Sequence, residues 1–245
     1  MPLAGIIFDG EKIPLNQCVD FANINYSKYP PEIVAGMVAF NSEEREAITV
    51  TSLLDCPRAL FLSRLNDYYE NYSHLFWSFR GQLGHILAEK FAKKGAIVEK
   101  RYYRTIAGIT ISGKPDTIYP KEGMIRDFKT TNALPKYGKP WKNHPPQLNA
   151  YRYLLAKPDN DEPIEINQLL VTYFTMKDTV TVEAPLEDLD KVEATLLAKA
   201  SILKYAFDNK QIPDVPEEYP TYWKCNGYCP MAKECAKIWK MGQKG

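Results

Sequence analysis

Three residues in the middle of this chain combine the side-chain types that phosphate-ester chemistry uses. In "GKPD", Asp116 follows a proline inside a strand-like run, and in "IRDFK" Asp127 and Lys129 stand two apart. On a β-strand a spacing of two sends both side chains off the same face. A hairpin across "YPKEG" would bring Asp116 up to Asp127. Two carboxylates meeting beside a lysine form a hard-oxygen site suited to Mg²⁺ or Mn²⁺. A divalent ion there can activate water and stabilise charge on a phosphoryl oxygen, with the lysine positioning water or phosphate. His85, in "GQLGHILAE", could add a nitrogen ligand from the preceding helix. Gln147 and Tyr151 are four apart and share a face of the helix that follows. Each feature alone is common; their order along the chain makes them a pattern.

A second set of chemistry-bearing residues lies in "YWKCNGYCPMAKEC". Cys225, Cys229 and Cys235 fall within eleven residues with the spacing C-x₃-C-x₅-C. Five cysteines are present in all, and the other two are Cys18 and Cys56. Tetrahedral zinc and an iron–sulfur cluster both need a fourth ligand. Cys56 is the better candidate because it sits at a Cys-Pro helix entrance; Cys18 lies in a segment without readable turn chemistry.

The elements that must position these groups are legible from residue 49 onward. In "TVTSLLDCPRALFLSRLNDYY", Ser52 or Asp55 can cap a helix that runs through "RALFLSRL", where Leu60, Leu62 and Leu65 are apolar. "SHLFWSFRGQLGHILAEKFAKKG" reads as a long helix from about Ser73, closed near Gly95. "AIVEKRYYRTIAG", "ITISGKPDTIYP" and "GMIRDFKTT" are β-branched, aromatic and glycine-broken, and they read as three strands. "PPQLNAYRYLLAK" is a helix opened by a proline pair. "EINQLLVTYFTMK" and "DTVTVEAP" predict a hairpin, and "LEDLDKVEATLLAKASILKYAFDNK" a long amphipathic helix. The order predicts a mixed α/β (α+β) core around one sheet with helical flanks. Residues 1–48 form an arm of unreadable role; residues 49–245 form the principal domain.

Composition excludes several classes. Of 245 residues, 45% are hydrophobic and 25% charged, which fits a globular chain with a substantial core. No apolar run approaches a membrane span, and the first residues show no secretory leader, so an intracellular (cytoplasmic) protein is expected. A net charge of +1 argues against purely electrostatic nucleic-acid binding. The loop "KYGKPWKNH" is locally basic and aromatic, making Lys136, Tyr137, Lys139, Trp141 and Lys142 candidate DNA contacts. The tail from Lys224 to Lys244 carries a single acid, Glu234.

In order and placement, His85, "GKPD", "DFK" and "QLNAY" resemble the RecB-like branch of the PD-(D/E)xK nucleases. The resemblance implies a restriction-endonuclease-like mixed sheet and a metal-dependent deoxyribonuclease. Asp116 and Asp127 would bind the catalytic metal, with His85 and the Phe128 backbone carbonyl as further ligands. Lys129 would assist in-line phosphodiester hydrolysis, while Gln147 and Tyr151 organise the site or contact DNA. One cysteine before the core and three after it is similar to AddB-type nuclease domains and the CRISPR-associated exonucleases of the Cas-four type. That similarity implies a structural [4Fe–4S] cluster on Cys56, Cys225, Cys229 and Cys235, stapling a helical region that includes residues 222–245. Those relatives place two residues between the first two tail cysteines where three stand here, and zinc remains the alternative. The implied activity is a single-stranded DNA exonuclease. A flap or junction endonuclease, or a non-catalytic nucleic-acid-binding or assembly factor in CRISPR spacer acquisition, is the alternative. Homo-oligomers or DNA-processing partners are the expected assemblies.

Overall fold

The computed structural model describes residues 3–8, 10–18, 33–37, 46–215, 223–225 and 227–242. The chain divides into two compact units, one made of Glu46–Asp55 and Gly81–Lys204, the other of Met1–Arg45, Cys56–Arg80 and Tyr205–Gly245.

In the first unit, strand length and alternation build two sheets. The strands are β3 (Ile48–Thr49), β5 (Ile97–Val98), β6 (Tyr102–Ile106), β7 (Ile109–Gly113), β8 (Thr117–Tyr119), β9 (Met124–Thr130), β10 (Gln168–Phe174) and β11 (Thr179–Ala184). A five-stranded sheet runs β11-β10-β9-β8-β5 and a three-stranded sheet runs β3-β7-β6. The β9–β10 pair is parallel and the other pairs of the larger sheet are antiparallel. In β10 every second residue is buried, so Leu169, Val171 and Tyr173 line one face. These three stand in register with Ile125, Asp127 and Lys129 of β9. The period of two therefore sets a carboxylate and an ammonium into a row of core positions.

Helix α5 (His144–Ala156) opens with two prolines, whose fixed φ suits a first turn. It packs against β6 and β7 of one sheet and β9, β10 and β11 of the other. Contact on two sides explains why Leu148, Ala150, Tyr151, Tyr153, Leu154 and Leu155 are all buried. Gly113 permits this approach: a Cβ there would stand 2.6 Å from Leu154 Cδ1 and 2.8 Å from Tyr151 Cδ1.

Two expectations need correction. The run "ITISGKPDTIYP" is not one strand, because the break at Lys114-Pro115 sends β7 and β8 into different sheets. The capping assignment also changes. Thr49 caps α2 (Val50–Leu54), accepting from Ser52 N–H at 3.1 Å, and Cys56 occupies the N-cap of α3 (Pro57–Leu65) without a side-chain cap bond.

The second unit contains β1 (Leu3–Phe8), β2 (Glu11–Pro14), α1 (Leu15–Cys18) and β4 (Tyr68–Asn71). β1 lies between an antiparallel β2 and a parallel β4. Leu3, Ile6, Val34, Met37, Tyr72, Leu75 and Phe79 form its core, so part of the arm is built structure. A separate cluster joins Phe61 and Leu62 of α3 to Ala206, Met231 and Cys235. Further helices are α4 (Tyr72–Lys90), α6 (Leu189–Asn209) and α7 (Ala232–Gly242). No helix among the described residues is long and apolar enough to cross a membrane.

Candidate functional site

The β8–β9 hairpin forms across "YPKEG", with Thr117 opposite Arg126 and Tyr119 opposite Met124. Asp116, one residue before β8, thereby reaches β9: its Oδ2 accepts the Phe128 N–H at 2.6 Å. His85 donates Nε2–H to the Phe128 carbonyl at 3.2 Å. Its Nδ1 lies 3.2 Å from Asp116 Oδ1 and 3.7 Å from Glu99 Oε1. Among the described residues, His85, Glu99 and Asp116 are the group whose potential ligand atoms all lie within 4.8 Å of one another.

Glu99 carries no sequence signal. It follows β5 directly with φ +50, and its N–H donates to the Asp116 carbonyl at 3.1 Å. A non-glycine residue in the left-handed region is uncommon, and such backbone tends to be held at functional sites. Lys114 closes an ion pair on the other Glu99 oxygen.

Asp127 is 1% exposed, and among the described residues its Oδ1 has no hydrogen-bond partner. Its neighbour is Lys129, with Nζ 2.6 Å from Oδ2. A buried carboxylate held by a single donor is costly. Its unpartnered Oδ1, the equally unpartnered Glu99 Oε1 and the His85–Asp116 pair fit a divalent cation.

The electrostatics agree with that reading. Burial, and then the charge of Asp127, pushes the Asp116 carboxyl up to about 7. Burial pulls His85 down, but Glu99 and Asp116 outweigh it and the imidazole ends above its ordinary value. Burial also pulls Lys129 down, yet Asp127, Asp116 and Tyr151 carry it well above the usual lysine range. For Glu99, burial acts upward and is overcome by His85 and Lys114, leaving the carboxyl below its usual range. A site that crowds acids this way holds positive charge readily.

On α5, Gln147 Nε2 donates to Tyr151 Oη at 2.7 Å and to Thr51 Oγ1 at 3.2 Å. Burial raises the Tyr151 phenol to about 12. Thus the i,i+4 pair is joined to itself and to α2.

A sequence model of the PD-(D/E)XK nuclease superfamily matches residues 96–236, more than half of the chain. The chain belongs to that superfamily. The crystal structure of SSO0001 is similar in fold, with a TM-score of 0.58 and 21% identity over 83% of this chain and 93% of that one. A provisionally named exonuclease from Eubacterium rectale is more distant, with a TM-score of 0.38 and 14% identity over 83% of this chain and 84% of that one. No protein of curated function matches. PD-(D/E)XK nucleases use divalent metals, and membership in the superfamily supports a metal-dependent nuclease.

The remaining predicted residues of this PD-(D/E)XK nuclease take two positions. Lys136, Tyr137, Lys139, Trp141 and Lys142 are all exposed on the segment between β9 and α5. Below them, Tyr173 Oη accepts the Trp141 N–H at 3.1 Å and bonds His144 Nδ1 at 2.6 Å. Burial, and then Lys129, holds the His144 imidazole down at about 4. His144 and Tyr173 were not singled out in the sequence; both occupy core positions of their elements, where nothing distinguishes them from packing residues.

Cys56, Cys225, Cys229 and Cys235 all belong to the second unit and none forms a disulfide. Burial pushes the Cys229 thiol up to about 11, and Cys56, Cys225 and Cys235 are close enough to raise it further. No three of the sulfurs lie within 4.8 Å of one another. Four free thiols, three half-buried and one buried, are soft donors of the kind a thiophilic metal takes. The side chain of Cys18 lies outside the described residues.

Proposed function

We propose that this chain is a Mg²⁺- or Mn²⁺-dependent deoxyribonuclease that degrades single-stranded DNA from its ends. The observation that carries the reading is the buried Asp127 carboxylate, whose Oδ2 pairs with Lys129 and whose Oδ1 has no hydrogen-bond partner among the described residues, beside the His85–Glu99–Asp116 group. His85, Asp116, Asp127 and the Phe128 carbonyl would hold the cation, and Glu99 joins them on the geometry. When bound, the cation supplies Lewis-acid chemistry to phosphodiester hydrolysis.

The chain's own residues do the rest. Lys129, fixed by Asp127, offers an ammonium to the scissile phosphate or to the attacking water. The Phe128 N–H orients Asp116 and the Phe128 carbonyl orients His85, so one residue's backbone sets both groups. Gln147 holds Tyr151 over the β9 face, where the phenol, still protonated, can donate to a phosphate oxygen.

The four cysteines would carry a [4Fe–4S] cluster as a staple within their unit. Their shared location supports this, and zinc is the competing occupant.

The test is incubation of end-labelled linear and circular single-stranded DNA with Mn²⁺, comparing wild type, Asp127→Asn and Lys129→Ala. Linear strands should shorten from an end, circles should survive, and both variants should be inert. Cutting of the circles would make the protein an endonuclease. Wild type as inert as its variants would make it a non-catalytic binding factor.

A further inference from the structure

The segment between β9 and α5 carries a feature that hydrolysis itself does not use. Lys136 to Lys139 close a tight turn: the Lys139 N–H donates to the Lys136 carbonyl at 3.5 Å. Both central residues are left-handed, with φ 61 at Tyr137 and φ 62 at Gly138. Two consecutive positive φ values within such a bond are the signature of a type I′ turn. Glycine takes the second position without strain. The first is normally asparagine, aspartate or glycine, and a bulky aromatic there is held in a sparsely populated conformation. The strain serves no packing purpose, because Tyr137 is 92% exposed. An aromatic ring is therefore projected into water at the tip of a turn that would form more easily without it.

Around this tip the chemistry is uniform. Lys136, Lys139 and Lys142 are exposed, and residues 131–143 contain no acid. Trp141 is built differently from Tyr137. Its N–H is tied to Tyr173, its ring rests against Tyr173 at 5.4 Å and His144 at 5.9 Å, and it remains 40% exposed. It is a rigid aromatic with part of its surface open. The segment leaves β9 just after Asp127 and Lys129 and enters α5 just before Gln147 and Tyr151. Whatever it grips is presented to the proposed centre.

We infer that this loop is a stacking platform for single-stranded nucleic acid. Tyr137 and Trp141 take the faces of unpaired bases, and Lys136, Lys139 and Lys142 meet the phosphates alongside them. Base faces are available only outside a duplex, so the loop selects single strands, and it does so without reading sequence, because every base has a face. The inference builds on the nuclease proposal and supplies the strand preference that the metal site cannot.

The test measures anisotropy of a labelled oligothymidylate, and of the same backbone carrying abasic sites, with the full-length protein in EDTA. Tyr137→Asn places a favoured residue at the strained position, so its Tm should hold or rise. At the usual worth of a base–aromatic stack, its affinity for oligothymidylate should fall about 5- to 150-fold. Binding of the abasic strand should be unchanged, since no stack is lost. Replacing the three lysines together with glutamine should weaken both ligands and, at about 0.7 per phosphate, lower the salt slope by about 2.

Three results would overturn the inference: oligothymidylate affinity unchanged in Tyr137→Asn, a clear drop in that variant's Tm, or wild type binding abasic and thymidylate strands equally. Failure of the nuclease reading looks different, because a wild type that binds through Tyr137 but never cleaves would refute the activity and leave the platform standing. Conversely, cleavage with a KM indifferent to Tyr137→Asn would sink the platform alone.

Discussion

Replacing Lys129 with methionine should expose how the proposed centre is balanced without metal. The substitution keeps the length of the aliphatic stem and removes the cation that lies 2.6 Å from Asp127 Oδ2. It leaves a carboxylate 1% exposed, with no hydrogen bond to either oxygen, next to a second buried carboxylate at Asp116. Stranding one charge of a buried pair typically costs about 3–5 kcal/mol. For a chain of this size that corresponds to a fall in Tm of roughly 6–20 °C. The cost should depend on pH with a definite sign. Loss of the lysine raises the Asp116 carboxyl further, and a proton can then stand in for the missing cation. Stability lost through a raised carboxyl pKa is lost as pH rises, so the deficit in EDTA should be larger at pH 8 than at pH 5.5. The assay is denaturation of wild type, Lys129→Met, Asp127→Asn and the double variant in EDTA at both pH values. The double variant buries no unpaired charge at these positions and should recover much of the loss, giving a coupling of at least about 2 kcal/mol. Mn²⁺ should raise the Tm of Lys129→Met more than that of wild type. A Lys129→Met protein within about 1 kcal/mol of wild type at pH 8, or a double variant equal to the sum of the singles, would refute this account.

Wild type in EDTA should itself lose stability as pH rises from about 4 to about 7. The Asp116 carboxyl moves from its ordinary 3.8 in the unfolded chain to about 7 when folded. A raised folded value means the stabilising proton is shed through that window, and at about 1.4 kcal/mol per pKa unit the loss is a few kcal/mol; a flat profile by urea titration would contradict it. Gly113→Ala should cost about 1–3 kcal/mol by overpacking, because its Cβ would press on Leu154 and Tyr151. It should also lower cleavage by shifting Tyr151, and full activity at unchanged Tm would show that α5 has slack there. Anaerobically prepared protein should be brown with broad visible absorption, bleached by Cys56→Ser and unaffected by Cys18→Ser; colourless protein with stoichiometric zinc would replace the cluster by zinc.

Much of the centre was legible because local geometry alone dictates it. A strand's period of two places Asp127 and Lys129 on one face, a helix's i,i+4 spacing joins Gln147 to Tyr151, and a turn at "PKEG" folds Asp116 back on Phe128. Each of these follows from backbone repeat distances, whatever the rest of the chain does. The residues that escaped notice are those placed by contacts remote in sequence. Glu99 stands outside any periodic run, at a left-handed residue, and is aimed by a backbone bond to Asp116. Thr51 meets Gln147 only because α2 and α5 pack together. Leu3–Phe8 pairs locally with Glu11–Pro14, but its second partner, Tyr68–Asn71, lies more than sixty residues away, where no window of sequence reaches. The break at Lys114-Pro115 is visible as a proline, but its consequence is not, because it is sheet assembly that sends β7 and β8 to different partners. The sequence by itself determined which groups could do chemistry and in which pairs. Burial of Asp127 among core positions, recruitment of Glu99 and the gathering of four cysteines into one unit were decided by tertiary packing, which alone sets the solvent access and the distances on which their charges depend.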